Sequence, residues 1–197
     1  VACSTGCVAG SGFEVHVPKE YVVLFAGPMG AGKTTAIGTL SETPLVRTEA
    51  VNTDRGRNDK ASTTVALDYG EITLDQGDKV RLYGVPGQER FDFMWRILRE
   101  RALGVVLLID DASASAMDDL DACLAAFGDF FAKSRAVVGI TRADVGITRS
   151  ADPYQSHLDG RGFALPVFVA DARDRTQMLT LLSALIVLFE LDPPSKE

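Results

Sequence analysis

A chain of 197 residues that is 46% hydrophobic is long enough to bury the core of one domain, and its net charge of −7 argues against nucleic acid as the main partner. Basic residues cluster only briefly, as at Arg96–Arg101, and the longest apolar stretch, Met178–Leu191, is interrupted by polar residues and too short to span a bilayer. Cys3, Cys7 and Cys123 are odd in number and lack paired zinc spacing, the usage of a reducing cytosol. No signal-peptide pattern is recognised, and Pro193-Pro-Ser-Lys-Glu197 carries no prenylation box.

In chain order, residues 1–18 read as a flexible leader or cloning remnant, Gly/Ser/Ala-rich through Ser11. The apolar run Tyr21–Ala26 predicts a strand, and Lys33–Leu40 predicts a helix. Between them Gly27-Pro-Met-Gly-Ala-Gly-Lys33-Thr34-Thr35 fits G-x-x-x-x-G-K-[ST] in full. Gly27, Gly30 and Gly32 let backbone N–H groups, including those of Met29 and Ala31, turn inward on phosphate oxygens. Lys33 would carry its charge to the β- and γ-phosphates, and the Thr34 hydroxyl would ligate Mg²⁺, with Thr35 opening the helix. The expectation at this point is a bound nucleoside triphosphate.

Ser41–Ser62 reads as one long irregular segment, and a loop of that length in a compact domain is usually functional. Strands are predicted at Val65–Leu74 and Lys79–Val85, and Asp75-Gln-Gly-Asp78 between them signals an antiparallel hairpin. A helix is predicted over Phe91–Arg101, where Phe91, Phe93 and Trp95 divide between core anchors and a partner surface. Further strands follow at Gly104–Ile109, Ala136–Thr141 and Pro166–Ala170. Helices are predicted at Ser115–Ala132 and Thr176–Glu190, and a shorter one begins near Asp152-Pro153, where Asp can cap and Pro fits the first turn. Leu120, Cys123, Leu124 and Phe127 share one helical face, so Cys123 reads as a small core residue. The alternation implies an α/β fold, a sheet with ligands at its carboxyl edge. The domain is placed at 19–192, with 193–197 as a tail.

Each loop at that edge carries chemistry: Thr63-Thr64-Val-Ala-Leu-Asp68-Tyr, Gly84-Val-Pro-Gly87-Gln88-Glu89-Arg90, Thr141-Arg142-Ala143-Asp144 and Asp171-Ala172-Arg173. Together with the phosphate loop these pieces resemble the Ras-like small GTPases, and most closely their bacterial MglA-like branch, encoded beside roadblock-domain partners. The resemblance spans roughly Lys19 to Leu191. It implies a P-loop NTPase fold with six strands, mostly parallel, one antiparallel strand at the edge, and helices on both faces.

The resemblance further implies GTP/GDP as ligand and substrate with Mg²⁺ as cofactor. Thr64 would be the effector-loop threonine meeting Mg²⁺ and the γ-phosphate, with Thr63 its rival one residue away. Gly87 would give its N–H to the γ-phosphate, and Gln88 would orient the attacking water. Asp144 would accept from guanine N1–H and N2–H, although Thr141 and Arg142 stand where the family usually has Asn and Lys. Asp171, Ala172 and Arg173 resemble the family's Ser-Ala-Lys element, with the Ala172 N–H facing guanine O6. Gly84 replaces the usual magnesium-holding Asp, and Asp68 is the candidate substitute. Arg55 and Arg57 are the candidates for a catalytic arginine. Asp110 also fits the hydrophobic-strand-plus-Asp pattern of an ATPase magnesium site, the rival reading to a structural carboxylate. The resemblance thus implies a GTP-hydrolysing switch, a cytoplasmic monomer that acts through protein partners such as a roadblock-domain dimer and that partners could bring to the membrane or a cell pole. A nucleotide-dependent scaffold with little hydrolysis is the alternative.

Overall fold

The computed structural model describes residues 19–51, 64–74, 77–85, 101–132 and 135–191. Seven strands form one sheet: β1 (Glu20–Ala26), β2 (Val46–Val51), β3 (Thr64–Thr73), β4 (Lys79–Gly84), β5 (Ala102–Asp110), β6 (Ala136–Thr141) and β7 (Val167–Val169). Their spatial order is β2-β3-β4-β1-β5-β6-β7. Among the described residues four helices accompany them: α1 (Lys33–Leu40), α2 (Ala116–Ala132), α3 (Asp152–Gly160) and α4 (Arg175–Leu191).

The sheet is α/β and mixed, as expected, with one more strand than the six implied. β2 falls inside the segment read as irregular, and it pairs antiparallel with β3 from Val46↔Tyr69 to Val51↔Thr64. β3 is therefore not the edge strand. It runs antiparallel to both β2 and β4, while β4, β1, β5, β6 and β7 pair in parallel. The expected hairpin is present. Gly77, at φ 87, gives its N–H to Leu74 O at 3.1 Å, and the Leu74 N–H reaches Asp78 O at 2.7 Å.

Each face of the sheet buries its own core. On one face Val23, Phe25, Leu82, Val106 and Leu108 pack with Ile37 and Leu40 of α1 and Met178, Leu181 and Leu185 of α4. On the other, Leu24, Val105, Leu107 and Ile109 pack with Leu120, Leu124 and Phe127 of α2 and with Tyr154 and Leu158 of α3. All nine residues of β5 are buried, which explains its near-continuous apolar sequence: a parallel strand covered on both sides has no polar face to present. Cys123 is half-buried against the second core, and burial pushes its thiol up to about 11. α2 leaves helical geometry at Phe127 (φ −115, ψ 17), just before Gly128.

α3 begins where expected, but its first oxygen comes from elsewhere. Asp152 sits in the first turn with Pro153, and Ser150 Oγ accepts the Asp152 N–H at 3.1 Å. The leader, the C-terminal tail, the Phe91, Phe93 and Trp95 aromatics and most of the helix expected at Phe91–Arg101 lie outside the described residues.

The chain passes from β1 to strands on one side (β4, β3, β2) and then to strands on the other (β5, β6, β7). The carboxyl end of β1 is thus a topological switch point, the place where open α/β sheets leave a crevice for ligands.

Candidate nucleotide site

The loop from Gly27 to Gly32 leaves β1 at that switch point and turns directly into α1. Gly27 is dictated by packing: a Cβ there would lie 2.1 Å from Leu108 O on β5. Gly32 is dictated by backbone angle, since it caps α1 in the left-handed region (φ 92, ψ 11) where a side chain is strained. Lys33 crosses back over the loop and donates from Nζ to Gly27 O at 2.8 Å and Pro28 O at 2.7 Å. Burial draws its ammonium below the ordinary lysine value, opposed by its electrostatic interactions with Cys123 and Asp68. A cation held by carbonyls at the mouth of a Gly-rich loop and beside a helix N-terminus is a receptor for anionic phosphate.

Below the loop, Thr34 Oγ1 donates to Asp68 Oδ2. Asp68 on β3 stands directly across from Gly84 on β4. A Cβ at Gly84 would lie 3.0 Å from Asp68 Cβ and 3.3 Å from Asp68 Oδ2. The Asp68 side chain therefore fills the space over Gly84 that an Asp at position 84 would need. Hydroxyl and carboxylate oxygens side by side are hard donors of the kind Mg²⁺ accepts when phosphates and water complete its shell. Among the described residues no three His, Cys, Asp or Glu side chains gather into a cage for a metal. The donor set fits magnesium bound together with a nucleotide.

On the other flank of the loop lies a cavity of about 500 Å³, lined by Gly30–Gly32, Thr35, Thr141–Val145, Val169–Arg173 and Gln177. That is within the usual range for a small-molecule site. Thr141 is buried, and its hydroxyl donates within reach of Ala31 O and Ile109 O, both at 3.1 Å. It thereby ties β6 to the phosphate loop. Asp144 and Val145 are exposed at the cavity, and Ala172 is buried in its wall. The Asp171 carboxyl is held down to about 2, first by the Arg173 side chain, which donates from Nη2 at 2.7 Å and from Nε at 2.9 and 3.1 Å. The Arg173 guanidinium is raised mainly by those bonds, and the charge of Asp144 adds to them.

The phosphate loop, the Thr34–Asp68 pair and the cavity thus lie along one edge of the sheet. The rival use of Asp110 finds its oxygens engaged: Oδ1 accepts the Ala112 N–H at 2.9 Å, and Oδ2 accepts from Arg142 Nη1 at 2.8 Å. Gly87, Gln88, Arg55, Arg57 and Thr63 lie outside the described residues, and Thr64 is described only as the first residue of β3. Sequence reasoning singled out Asp110 and passed over its neighbour Asp111, a wholly buried carboxylate at the root of the cavity loop. Its partners lie 37 to 43 residues further on, so no local motif marks it.

Comparison with known proteins agrees on the fold. The G domain of the T. maritima FeoB iron transporter superposes with a TM-score of 0.60 at 17% identity, covering 86% of this chain and 98% of that one. An uncharacterized protein of Methanocaldococcus jannaschii is 32% identical over 94 residues, 48% of this chain and 53% of the relative. ADP-ribosylation factor-like protein 3 of Saccharomyces cerevisiae is 24% identical over 106 residues, 54% of this chain and 50% of the relative. The alignments thus span about half the length of these curated relatives. A family model described as a conserved hypothetical ATP binding protein matches residues 43–159, which include Asp68, Gly84, Asp110 and the Thr141–Asp144 loop. With a P-loop GTPase-like fold and a match over more than half its length, the chain belongs to this ATP-binding protein family.

Proposed function

We propose that the chain is a magnesium-dependent guanine-nucleotide switch of the MglA-like branch, one that hydrolyses GTP. The observation that carries this reading is the corner made by Thr34, Asp68 and Gly84, where the carboxylate missing from β4 reappears on β3 beside the phosphate-loop hydroxyl. Magnesium held there would neutralise charge on the β- and γ-phosphates. Lys33 supplies a second positive charge to the same oxygens, and the loop N–H groups supply the donors. Thr64 and Gly87 would sense the γ-phosphate, Gln88 would orient water, and Arg55 or Arg57 would reach the transferring phosphate, a contact worth roughly 10³–10⁵ in rate. The output would pass to a protein partner, a roadblock-domain dimer, from a cytoplasmic monomer.

The choice of guanine rests on Asp144 at the cavity, whose carboxylate can accept two N–H bonds from that base, with Thr141 steadying the loop beneath it. A site built to hydrogen-bond a base edge rejects the analogue that leaves its groups unpaired. The family description favours a second reading, an adenine nucleotide in the same cavity. Displacement of a fluorescent GTP analogue by GTP and by ATP, with and without Mg²⁺, separates them. GTP should displace at least about a hundredfold better, since only guanine offers both N–H bonds to Asp144. Equal displacement, or preference for ATP, overturns the guanine assignment. Single-turnover hydrolysis with and without the partner then distinguishes a switch from a scaffold.

A further inference from the structure

We propose that Asp111 is a positioning residue for nucleobase selection, clamping both ends of the loop that carries Asp144 to the cavity. The inference rests on the reading above, in which that cavity takes the base and Asp144 reads it.

Asp111 follows β5 directly, and its backbone bonds to the loop on either side of Asp144. Its N–H donates to Thr141 O at 3.0 Å, and its carbonyl accepts from the Ile147 N–H at 2.9 Å. Its side chain gathers the far end of the loop. The carboxylate accepts from the Thr148 hydroxyl at 2.7 Å, from the Thr148 N–H at 3.1 and 3.2 Å, and from the Arg149 N–H at 2.8 Å. The Tyr154 hydroxyl, from α3, closes the set at 2.7 Å. A fully buried carboxylate is costly unless such donors surround it, so its place beneath this loop is specific. The contact leaves no slack: a Cβ on Gly146 would lie 1.9 Å from Asp111 Oδ2.

The loop itself is under tension. Arg142 and Arg149 both have φ 55, a left-handed conformation that side-chain-bearing residues adopt only when their surroundings over-determine it. Arg142 is held by Asp110 and Arg149 by Asp111, so two adjacent residues at the end of β5 restrain both ends. Released from Asp111, the span would relax toward ordinary backbone angles and carry Asp144 off the cavity wall. The phosphate loop makes none of these bonds. The consequence should therefore fall on the base and spare the phosphates.

Two variants cut the same carboxylate from opposite sides. Thr148→Ala removes a donor from the loop, and Tyr154→Phe removes one from α3. Affinity is measured for Mg²⁺–GTP and for Mg²⁺–inorganic tripolyphosphate, with thermal stability alongside. Thr148→Ala and Asp111→Asn should weaken GTP roughly tenfold, the scale of one lost hydrogen bond to a charged group, and leave tripolyphosphate unchanged. Tyr154→Phe should lower stability and keep the ratio of the two affinities. If both side-chain truncations change the ratio alike, or neither does, Asp111 is only a structural carboxylate and the proposal fails. Asp144→Ala is the control for the underlying reading. If it fails to lower GTP against tripolyphosphate, base recognition by Asp144 is wrong; if it does so while Thr148→Ala has no effect, only the clamp is wrong.

Discussion

Across β3 and β4, Asp68 and Gly84 share one volume: a Cβ on Gly84 would also lie 2.9 Å from Ile37 Cδ1. That volume has room for a single carboxylate, and here it stands on β3. Asp68→Ala should raise the Mg²⁺ concentration needed for nucleotide retention, and an unchanged magnesium requirement would refute the assignment. Gly84→Asp alone should destabilise by about 1–3 kcal/mol, the usual cost of overpacking a filled site. The double variant Asp68→Ala/Gly84→Asp should regain part of both stability and magnesium dependence, read by denaturation and by nucleotide release with chelator. Recovery below the Asp68→Ala level would show that the two positions are not interchangeable. At this scale the phosphate loop was legible because its nine residues are contiguous and each has a local reason. The meeting of Thr34 and Asp68 joins residues 34 apart, and only the family pattern pointed to it. Asp111 was invisible, because an isolated Asp after an apolar strand says nothing about the donors that will surround it.

Among the elements, β1, β5, β6, α2 and α4 were readable from their periodicity or unbroken apolar runs, which burial on one or both faces demands. β2 was not. Val46-Arg-Thr-Glu-Ala-Val51 alternates only weakly, carries two charges and has little apolar weight, as a strand at a sheet edge often does. Its identity comes from pairing with β3, a long-range fact. The start of α3 differs for a smaller reason: the N-cap position falls on Ala151, which has no side-chain oxygen, and Ser150 takes up the Asp152 N–H from one residue further back. The joint between β1 and α1 allows a sharp prediction. Gly27→Ala would place its Cβ 2.1 Å from Leu108 O, so the loop must lift off β5. Stability should fall by roughly 1–3 kcal/mol and Mg²⁺–tripolyphosphate binding should be lost, as denaturation and competition assays would register. Retained tripolyphosphate binding would mean that the cradle does not depend on this contact.

For the whole molecule, acid stability follows from the buried carboxylate. Burial by itself would raise Asp111, but hydrogen bonds from Thr148, Tyr154 and Arg149 outweigh it and hold the group below its ordinary 3.8. A depressed carboxyl contributes stability above its unfolded value and loses it as pH falls through the folded one, so the decline should begin near pH 4 and continue downward. Asp171 shares that direction, though its side chain is 41% exposed and solvent screens its share. Denaturant midpoints taken from pH 5 to pH 2 should show a steep acid limb that Asp111→Asn flattens; identical slopes would remove Asp111 as a source.

β5 belongs to both cores at once, with Val106 and Leu108 turned to one and Val105, Leu107 and Ile109 to the other. Neither core can melt without disturbing it, so its amides should be among the last in the molecule to exchange with solvent. The cavity loop hangs from the end of that strand through Asp110 and Asp111. Partial openings that spare the strand leave the rim of the cavity in place. A planar base arriving there, as proposed, would meet a wall already formed, and little of its binding free energy would go into ordering the receptor.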